Sequence, residues 1–451
     1  MRHPLRNRAR QLAVGAVAAQ LVREAVTLRR ARHTARTALA APPPVPGQGG
    51  TATPPVLHVL VPGLGEQPYV SRTVAAFAAV RDAYPHAHIW FVTTAREQAP
   101  PDGRETTRAA VGRKLREIDT QRMAVLEDPR PEGNKASQLN WAVEYIDQKM
   151  GGHGEQTWIG VFDFDSQPPP ETAAWVAATA RTSGAEAIQV VPIGTTTLAG
   201  PPKAALSRSV VFTEALHQAA RSLGVERWKL DQAMTGRRMP QYLVGAGMFV
   251  RRDALRAVGG FPFVDDVPLG YRLFLEGARF ATVPVLNRVD LPDTVTAHLG
   301  SLKFIARGIT SWPSTLAATR TKTGVRGRDR LRLAALGVAD TAEITVYPWL
   351  AAALTPSLLR GPWPGRLLVA AWWGFPVAQT AVMRRVLADE LDDSTWVVPP
   401  GTMAGSSVGR RFWRTVGAWR LVGDTLRSRL RGQSVTFAKS SRTTATPGAS
   451  R

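Results

Sequence analysis

Apolar positions change their period several times along the chain, and each change marks an element. From residue 1 to about 41 the chain is basic and Ala-rich. Leu12, Val14, Val17, Leu21, Val22, Val26 and Leu28 recur loosely along one side of a predicted helix. The stretch LAVGAVAAQLV follows a basic start as in a signal peptide, but Arg23 and Glu24 close it at once, which argues against a cleaved leader. Residues 42–55, opening with Pro42-Pro43-Pro44, read as a Pro/Gly-rich linker. At Val56 the pattern switches. VLHVLVPG predicts a buried strand, SRTVAAFAAVRDAYP an amphipathic helix stopped by proline, and HIWFVTT a second strand. ASQLNWAVEYIDQKM predicts a helix with Leu139, Ala142, Val143 and Ile146 on one side, and TWIGVFDFD a further strand. Such alternation, continuing to about residue 335, predicts an α/β domain over 56–335. Its open, mostly parallel sheet would be flanked by helices and bind ligands at the carboxyl ends of strands.

Beyond that point the pattern turns apolar. Ile344 to Leu359 and Leu367 to Met383 carry no charge and are joined by LRGPWPGR. These runs sit at or just short of the roughly 17–25 residues a membrane span needs. Arg360 and Arg366 oppose moving their connection across a bilayer. Residues 336–400 therefore read as an apolar helical hairpin: two spans, a hairpin within one leaflet, or a helical pair buried in a soluble core. Over 401–432, Phe412, Val416, Trp419, Leu426 and Leu430 fall near helical spacing among arginines. That predicts a basic amphipathic helix, which suits an anionic membrane surface or else packs on the domain. Residues 433–451 read as a disordered tail.

Composition narrows the chemistry. The 451 residues contain no cysteine, which excludes disulfides, thiolate nucleophiles and cysteine-held metals. The formal charge of +22 concentrates at the two ends and would suit nucleic acid, an anionic membrane or a polyanionic ligand. Helix-turn-helix, zinc-finger and aromatic RNA-binding signatures are missing, so nucleic acid is not expected as a partner.

Candidate chemistry centres on Asp163-Phe164-Asp165, at the end of the run Trp158 to Phe162. In an extended strand alternate residues share a face, so both carboxylates would point the same way. Such a pair suits a hard divalent cation, Mn²⁺ or Mg²⁺, that also takes phosphate oxygens; a plain strand end with a polar turn is the bland alternative. Other segments accompany it: Val61-Pro62-Gly63-Leu64-Gly65-Glu66, Arg130-Pro131-Glu132-Gly133-Asn134-Lys135 leading to Leu139-Asn140, Gly245-Ala246-Gly247, and Gly259-Gly260-Phe261 before Asp265-Asp266.

The order and spacing of these segments resemble the family-2 glycosyltransferases, inverting enzymes of the GT-A fold, over roughly residues 56–315. The resemblance implies that Glu66, Asn134 and Lys135 border a nucleotide-sugar donor, while Asp163 and Asp165 face the metal and diphosphate. It puts Asp266, with Asp265 beside it, where the family keeps its catalytic base. The two acids could instead cap a helix beginning near Pro268. Lys135 could equally be a solvated helix-start lysine, and Glu66 a helix cap. Gly245 and Gly247 either let backbone approach the sugar or form a bulge. Processive relatives carry Gln-x-x-Arg-Trp near Phe304-Ile305-Ala306-Arg307-Gly308; only Arg307 matches, to meet departing phosphate or to form a structural ion pair. His298 is expected either as a third metal ligand or as an ordinary hydrogen-bonded histidine. The second strand ends Thr93-Thr94-Ala95 without the acidic residue that many relatives use to read the nucleobase, and Asp128 is the candidate substitute.

The expectation is a metal-dependent inverting glycosyltransferase at the cytoplasmic membrane, its catalytic domain facing the cytoplasm and its acceptor a hydroxyl, possibly lipid-linked. A nucleotidyltransferase and a non-catalytic membrane scaffold are the rivals. The former would need a basic phosphate loop after the first strand, which Pro62-Gly63-Leu64-Gly65-Glu66 lacks.

Overall fold

The computed structural model describes residues 3–39, 53–98, 105–119, 121–150, 156–196, 204–263, 266–292, 294–322, 324–388 and 398–430. Most of the expected linker and all of the expected tail lie outside these residues. A long helix, α1 (His3–Leu39), comes first. Then β1 (Val56–Pro62), α2 (Val70–Ala83), β2 (Ala87–Thr94), α3 (Thr107–Leu115), β3 (Met123–Asp128) and α4 (Lys135–Met150) alternate. They continue through β4 (Thr157–Val161), α5 (Thr172–Thr182) and β5 (Ala187–Thr196). Helices α6 (Ala205–Arg221) and α7 (Trp228–Met234) are joined by a π-helical turn, Ser222–Arg227. Next come β6 (Met248–Arg251), α8 (Arg252–Ala257), α9 (Val267–Glu276) and β7 (Phe280–Asp290). The chain then turns helical with α10 (Val295–Ile309), α11 (Trp312–Ala318), α12 (Gly327–Thr345), α13 (Tyr347–Leu359), α14 (Trp363–Val386) and α15 (Pro400–Leu430).

The seven strands form one sheet in the order β3-β2-β1-β4-β6-β5-β7. All run parallel except β6, which lies antiparallel between β4 and β5. Strands β1 and β4 are almost wholly buried because helices cover both faces, which is why they read as continuous apolar runs. Phe77, Phe91, Trp158, Phe162 and Phe249 fill one layer; Leu139, Ile159, Met248, Tyr271 and Phe274 fill the other. In β4 a Cβ on Gly160 would stand 2.5 Å from the Phe249 ring, so glycine lets the antiparallel strand dock. Val161 pairs with Met248, which sets the carboxyl end of β4 beside the start of β6.

Two expectations need correction. The strand carrying the Asp pair ends at Val161, and Asp163 to Ser166 form a turn closed by Ser166 N–H donating to Asp163 O at 3.0 Å. Strand alternation therefore does not orient the two carboxylates. In place of the expected membrane hairpin stand two helices, α13 and α14, with Pro356 and Pro376 inside them. Among the described residues no helix is long and apolar enough to cross a membrane. Val17 of α1, Ala351 of α13 and Trp372 of α14 share a small core, and Met383 joins another with Ala31, Ala35 and Phe212. An uncharged run that packs on a neighbouring helix reads like one that packs on lipid. The expected border at 335 falls inside α12, and that at 400 falls at the start of α15.

Helix α1 is tied to the sheet domain by close contacts. A Cβ on Gly224, in the π-helical turn, would lie 2.1 Å from Thr27 O, and the Arg30 guanidinium stacks 3.5 Å over Trp228. Arg23 pairs with Asp340 at 2.9 Å, while Glu24 accepts two hydrogen bonds from Arg411, at 2.8 and 2.7 Å.

Candidate active site

The turn after β4 is shaped by its aromatic residue. Phe164 is buried, its ring faces Phe91, and a Cβ on Gly63 would lie 2.7 Å from that ring. Thr73 Oγ1 donates to Phe164 O at 2.6 Å. With Phe164 drawn inward, the flanking carboxylates take different settings: Asp165 is 7% exposed, whereas the Asp163 side chain is 45% exposed. Lys135 Nζ donates to Asp163 Oδ1 at 2.7 Å.

Lys135 is the first residue of α4. Asn134 caps that helix, its Oδ1 accepting from Ser137 N–H at 2.9 Å. A lysine in a first helical turn opposes the helix dipole, so the carboxylate beside it offsets an otherwise unfavourable charge. The same contact sets the start of α4 beside the turn after β4.

Asp266 is linked to the sheet through glycines. Gly247, at φ +118°, donates its N–H to Val161 O at 2.9 Å and accepts from Val190 N–H at 2.8 Å, so it bridges β4 and β5. A Cβ there would meet Val190 O at 2.8 Å. Two residues earlier, Gly245 N–H points to Asp266 Oδ2 at 3.4 Å. Asp266 also caps α9, Oδ1 accepting from Val267 N–H at 2.6 Å. Asp266 thus caps the start of α9, as one of its two readings expected, and also faces the loop anchored to the end of β4. Asp265 lies outside the described residues.

The loop before Asp266 is held to α4. Gly259 and Gly260 adopt φ of +85° and +79°, and a Cβ on Gly260 would lie 2.5 Å from Asn140 Oδ1. Arg307 of α10 stacks 4.6 Å over Phe263 of the same loop, and burial lowers its pKa. Glu66 is half-buried in the loop after β1, where its N–H donates to Thr107 Oγ1 at 2.8 Å. Asp128, buried at the end of β3, accepts from Arg130 through both oxygens, at 2.8 and 3.1 Å. That pairing raises the Arg130 pKa.

His298 is elsewhere. It is buried on α10, where Glu214 and Arg414 are its electrostatic neighbours, and burial pushes its pKa below the usual imidazole value while Glu214 opposes the shift. Among the described residues no three His, Asp or Glu side chains converge as a metal set, so Asp163, Asp165 and His298 do not form one. The two carboxylates still fit a Mg²⁺ or Mn²⁺ that takes its remaining ligands from donor phosphates and water, the usual arrangement for these ions.

Sequence inspection missed two anchoring residues. Glu97 Oε1 accepts from Gly65 N–H at 3.2 Å, Gln67 Nε2 at 2.8 Å, and Thr107 N–H and Oγ1 at 3.0 and 2.9 Å, fixing the loop that carries Glu66. It lies three residues past the end of β2, just beyond Ala95. Asn287 of β7 is fully buried, and its Nδ2 donates to Ser166 Oγ and Ala246 O, both at 3.1 Å. One amide thus ties the Asp163–Ser166 turn to the Gly245–Gly247 loop.

With this geometry in view, comparison with known proteins identifies the class. Residues 54–320 match the family described as Glycosyltransferase like family 2, and the chain belongs to that family. It is a glycosyltransferase. A mannosyltransferase from Pyrobaculum calidifontis, solved with GDP-Man and Mn²⁺, shares the fold at 17% identity and a TM-score of 0.52, covering 91% of this chain and 99% of its own. TarS of S. aureus (residues 1–349) is similar at 13% identity and a TM-score of 0.38, over 84% of this chain and 92% of its own. No curated protein matches in sequence.

Proposed function

We propose that the protein transfers a sugar from a nucleotide-sugar to an acceptor hydroxyl, with inversion and with Mn²⁺ or Mg²⁺ as cofactor. The observation that carries this reading is the Gly245–Asp266 contact. Gly245 leads into Gly247, which bonds to the end of β4, two residues before Asp163. In this reading Asp266 faces the same strand end as Asp163 and Asp165, as a sugar lying between them requires.

In the proposed step the acceptor oxygen attacks the anomeric carbon as its bond to the diphosphate breaks. The acceptor proton passes to the Asp266 carboxylate, a general-base role. Attack from the side opposite the leaving group gives inversion. A cation held by Asp165 and Asp163 would stabilise the charge on the departing nucleoside diphosphate. Lys135 and the positive end of α4 orient the diphosphate, and Arg307 backs the loop that positions Asp266. Glu66, Asn134 and Gly245 border the donor in this reading, and Asp128 sits on its nucleotide side.

We further place the catalytic domain at the cytoplasmic face of the membrane, with a lipid-linked or envelope-glycan acceptor. Exposed Trp419 and Leu426 lie on the arginine-rich α15, and exposed Trp363 opens α14, which carries three arginines, a pairing that suits an anionic lipid surface. Flotation with anionic liposomes tests it; a chain that stays in the aqueous fraction at physiological salt refutes this part alone.

The enzymatic reading is tested with UDP-, GDP- and dTDP-sugars screened for thermal stabilisation with and without Mn²⁺. One nucleotide should raise the melting temperature selectively and only with metal. Asp266→Asn should retain that shift while losing roughly 10²–10⁴-fold in turnover. Undiminished turnover in this variant would exclude Asp266 as base.

A further inference from the structure

Two amides lie buried at positions where the strand pattern calls for apolar side chains. On β7, Ala281, Val283 and Val285 belong to the layer that holds Phe162 and Phe164, and Asn287, next in that alternation, is fully buried. On β5, Gln189 sits between the buried Ala187 and Val191 in the same kind of alternation and is itself buried. Burying an amide is unfavourable unless hydrogen bonds replace those to water, so the partners of each show what it holds.

Gln189 grips one residue by its backbone. Its Oε1 accepts from Val244 N–H at 2.8 Å, and its Nε2 donates to Val244 O at 3.2 Å and to Val190 O at 2.8 Å. Asn287 holds the other side of the same loop, its Nδ2 donating to Ala246 O at 3.1 Å. A carbonyl can only accept, which settles which end of the amide is nitrogen. Between the two held residues stands Gly245, whose N–H meets Asp266 Oδ2 at 3.4 Å. The two amides therefore set the peptide that faces the proposed base. Asn287 does one thing more. Its Nδ2 also donates to Ser166 Oγ at 3.1 Å, and Ser166 N–H closes the turn on Asp163 O. Asn287 Oδ1 meets no donor among the described residues, a cost that an apolar side chain would avoid. A residue that bears such a cost while joining two parts of a site suits position rather than stability.

We propose that Gln189 and Asn287 are positioning residues for the transfer. Gln189 fixes the loop at Gly245, and Asn287 fixes the spacing between that loop and the carboxylates of the Asp163–Ser166 turn. The inference rests on the glycosyl transfer proposed above, and both amides are too buried to touch the reacting atoms themselves.

The test compares three variants of the full chain with wild type, using whichever of the UDP-, GDP- and dTDP-sugars stabilises it. The readouts are the melting temperature without ligand, the Mn²⁺ midpoint of donor-induced stabilisation, and release of nucleoside diphosphate at saturating Mn²⁺ and donor, with water as acceptor. Ser166→Ala cuts only the link to the turn and should raise the Mn²⁺ midpoint several-fold. Gln189→Leu frees only the loop and should lower saturated turnover roughly tenfold, the effect of about one hydrogen bond, with the Mn²⁺ midpoint unmoved. Asn287→Leu should do both. A merely structural role would shift all readouts in step with the melting temperature. Asn287→Leu that lowers only the melting temperature, or moves only one of the two other readouts, overturns the inference and leaves the transfer reading standing. Should either amide variant fail to fold, Ser166→Ala decides: an unmoved Mn²⁺ midpoint overturns the inference. A wild type that neither binds nor cleaves any of the donors with Mn²⁺ overturns the transfer reading itself, and this inference with it.

Discussion

Asn140 and Phe261 exchange two hydrogen bonds: Asn140 Nδ2 donates to Phe261 O at 2.9 Å, and Phe261 N–H donates to Asn140 Oδ1 at 2.8 Å. Asn140 belongs to α4, whose first residue is Lys135; Phe261 begins the loop that ends at Asp266. One side chain therefore couples the element meeting Asp163 to the element carrying the proposed base. Asn140→Ala leaves a backbone N–H and a carbonyl unpaired, which costs about 1–3 kcal/mol. The expected result is a lower melting temperature together with a fall in turnover larger than the change in donor KM. Unchanged turnover in a destabilised variant would show that the tether serves folding only.

The Lys135–Asp163 pair predicts opposite effects on two ligands. With Lys135→Met, Asp163 loses its ammonium neighbour, so Mn²⁺ measured without donor should bind more tightly. The nucleotide-sugar, deprived of a cation for its diphosphate, should bind roughly tenfold more weakly, the size of a charge-assisted hydrogen bond. Calorimetry on both ligands checks the pair. A parallel loss in both affinities would mean that Lys135 supports the turn rather than the diphosphate.

Much of the sheet is legible in sequence because its strands are covered on both faces. Continuous apolar runs such as VLHVLVP leave little choice of structure. The Asp163–Ser166 turn is less legible, since its geometry depends on where Phe164 finds space, and that space is made by Gly63, a hundred residues away. Asn287 had no local signal at all: its partners Ser166 and Ala246 are 121 and 41 positions distant. The helical C-terminal region misleads for a related reason. Trp372 and Met383 look like lipid-facing positions until α1 is known to lie against α14.

Gly63 offers a direct test of how tightly the turn is set. Gly63→Ala would place a methyl 2.7 Å from the Phe164 ring, within van der Waals overlap, so the ring and its flanking carboxylates must shift. Overpacking of this kind costs about 1–3 kcal/mol. Metal-dependent stabilisation by donor should fall further than global stability predicts. Gly63→Ala combined with Phe164→Leu, which relieves the overlap, should recover part of it; failure to recover would show that the carboxylates are positioned by other contacts.

His298 carries the last prediction, because its placement separates a metal role from a folding role. It is buried beside Glu214 and Arg414, and burial lowers its pKa below the usual imidazole value. The unfolded chain therefore takes up a proton at a pH where the folded protein does not. Between the ordinary imidazole pKa of about 6.5 and the lower folded value, the unfolded state binds more protons, so stability must fall as pH falls. His298→Gln removes this group, and its melting temperature should decline less steeply than wild type through that window. If His298 plays no part in holding the cation, the variant should also keep the wild-type Mn²⁺ requirement. A shifted Mn²⁺ titration with an unaltered pH slope would reverse the assignment and return His298 to the metal.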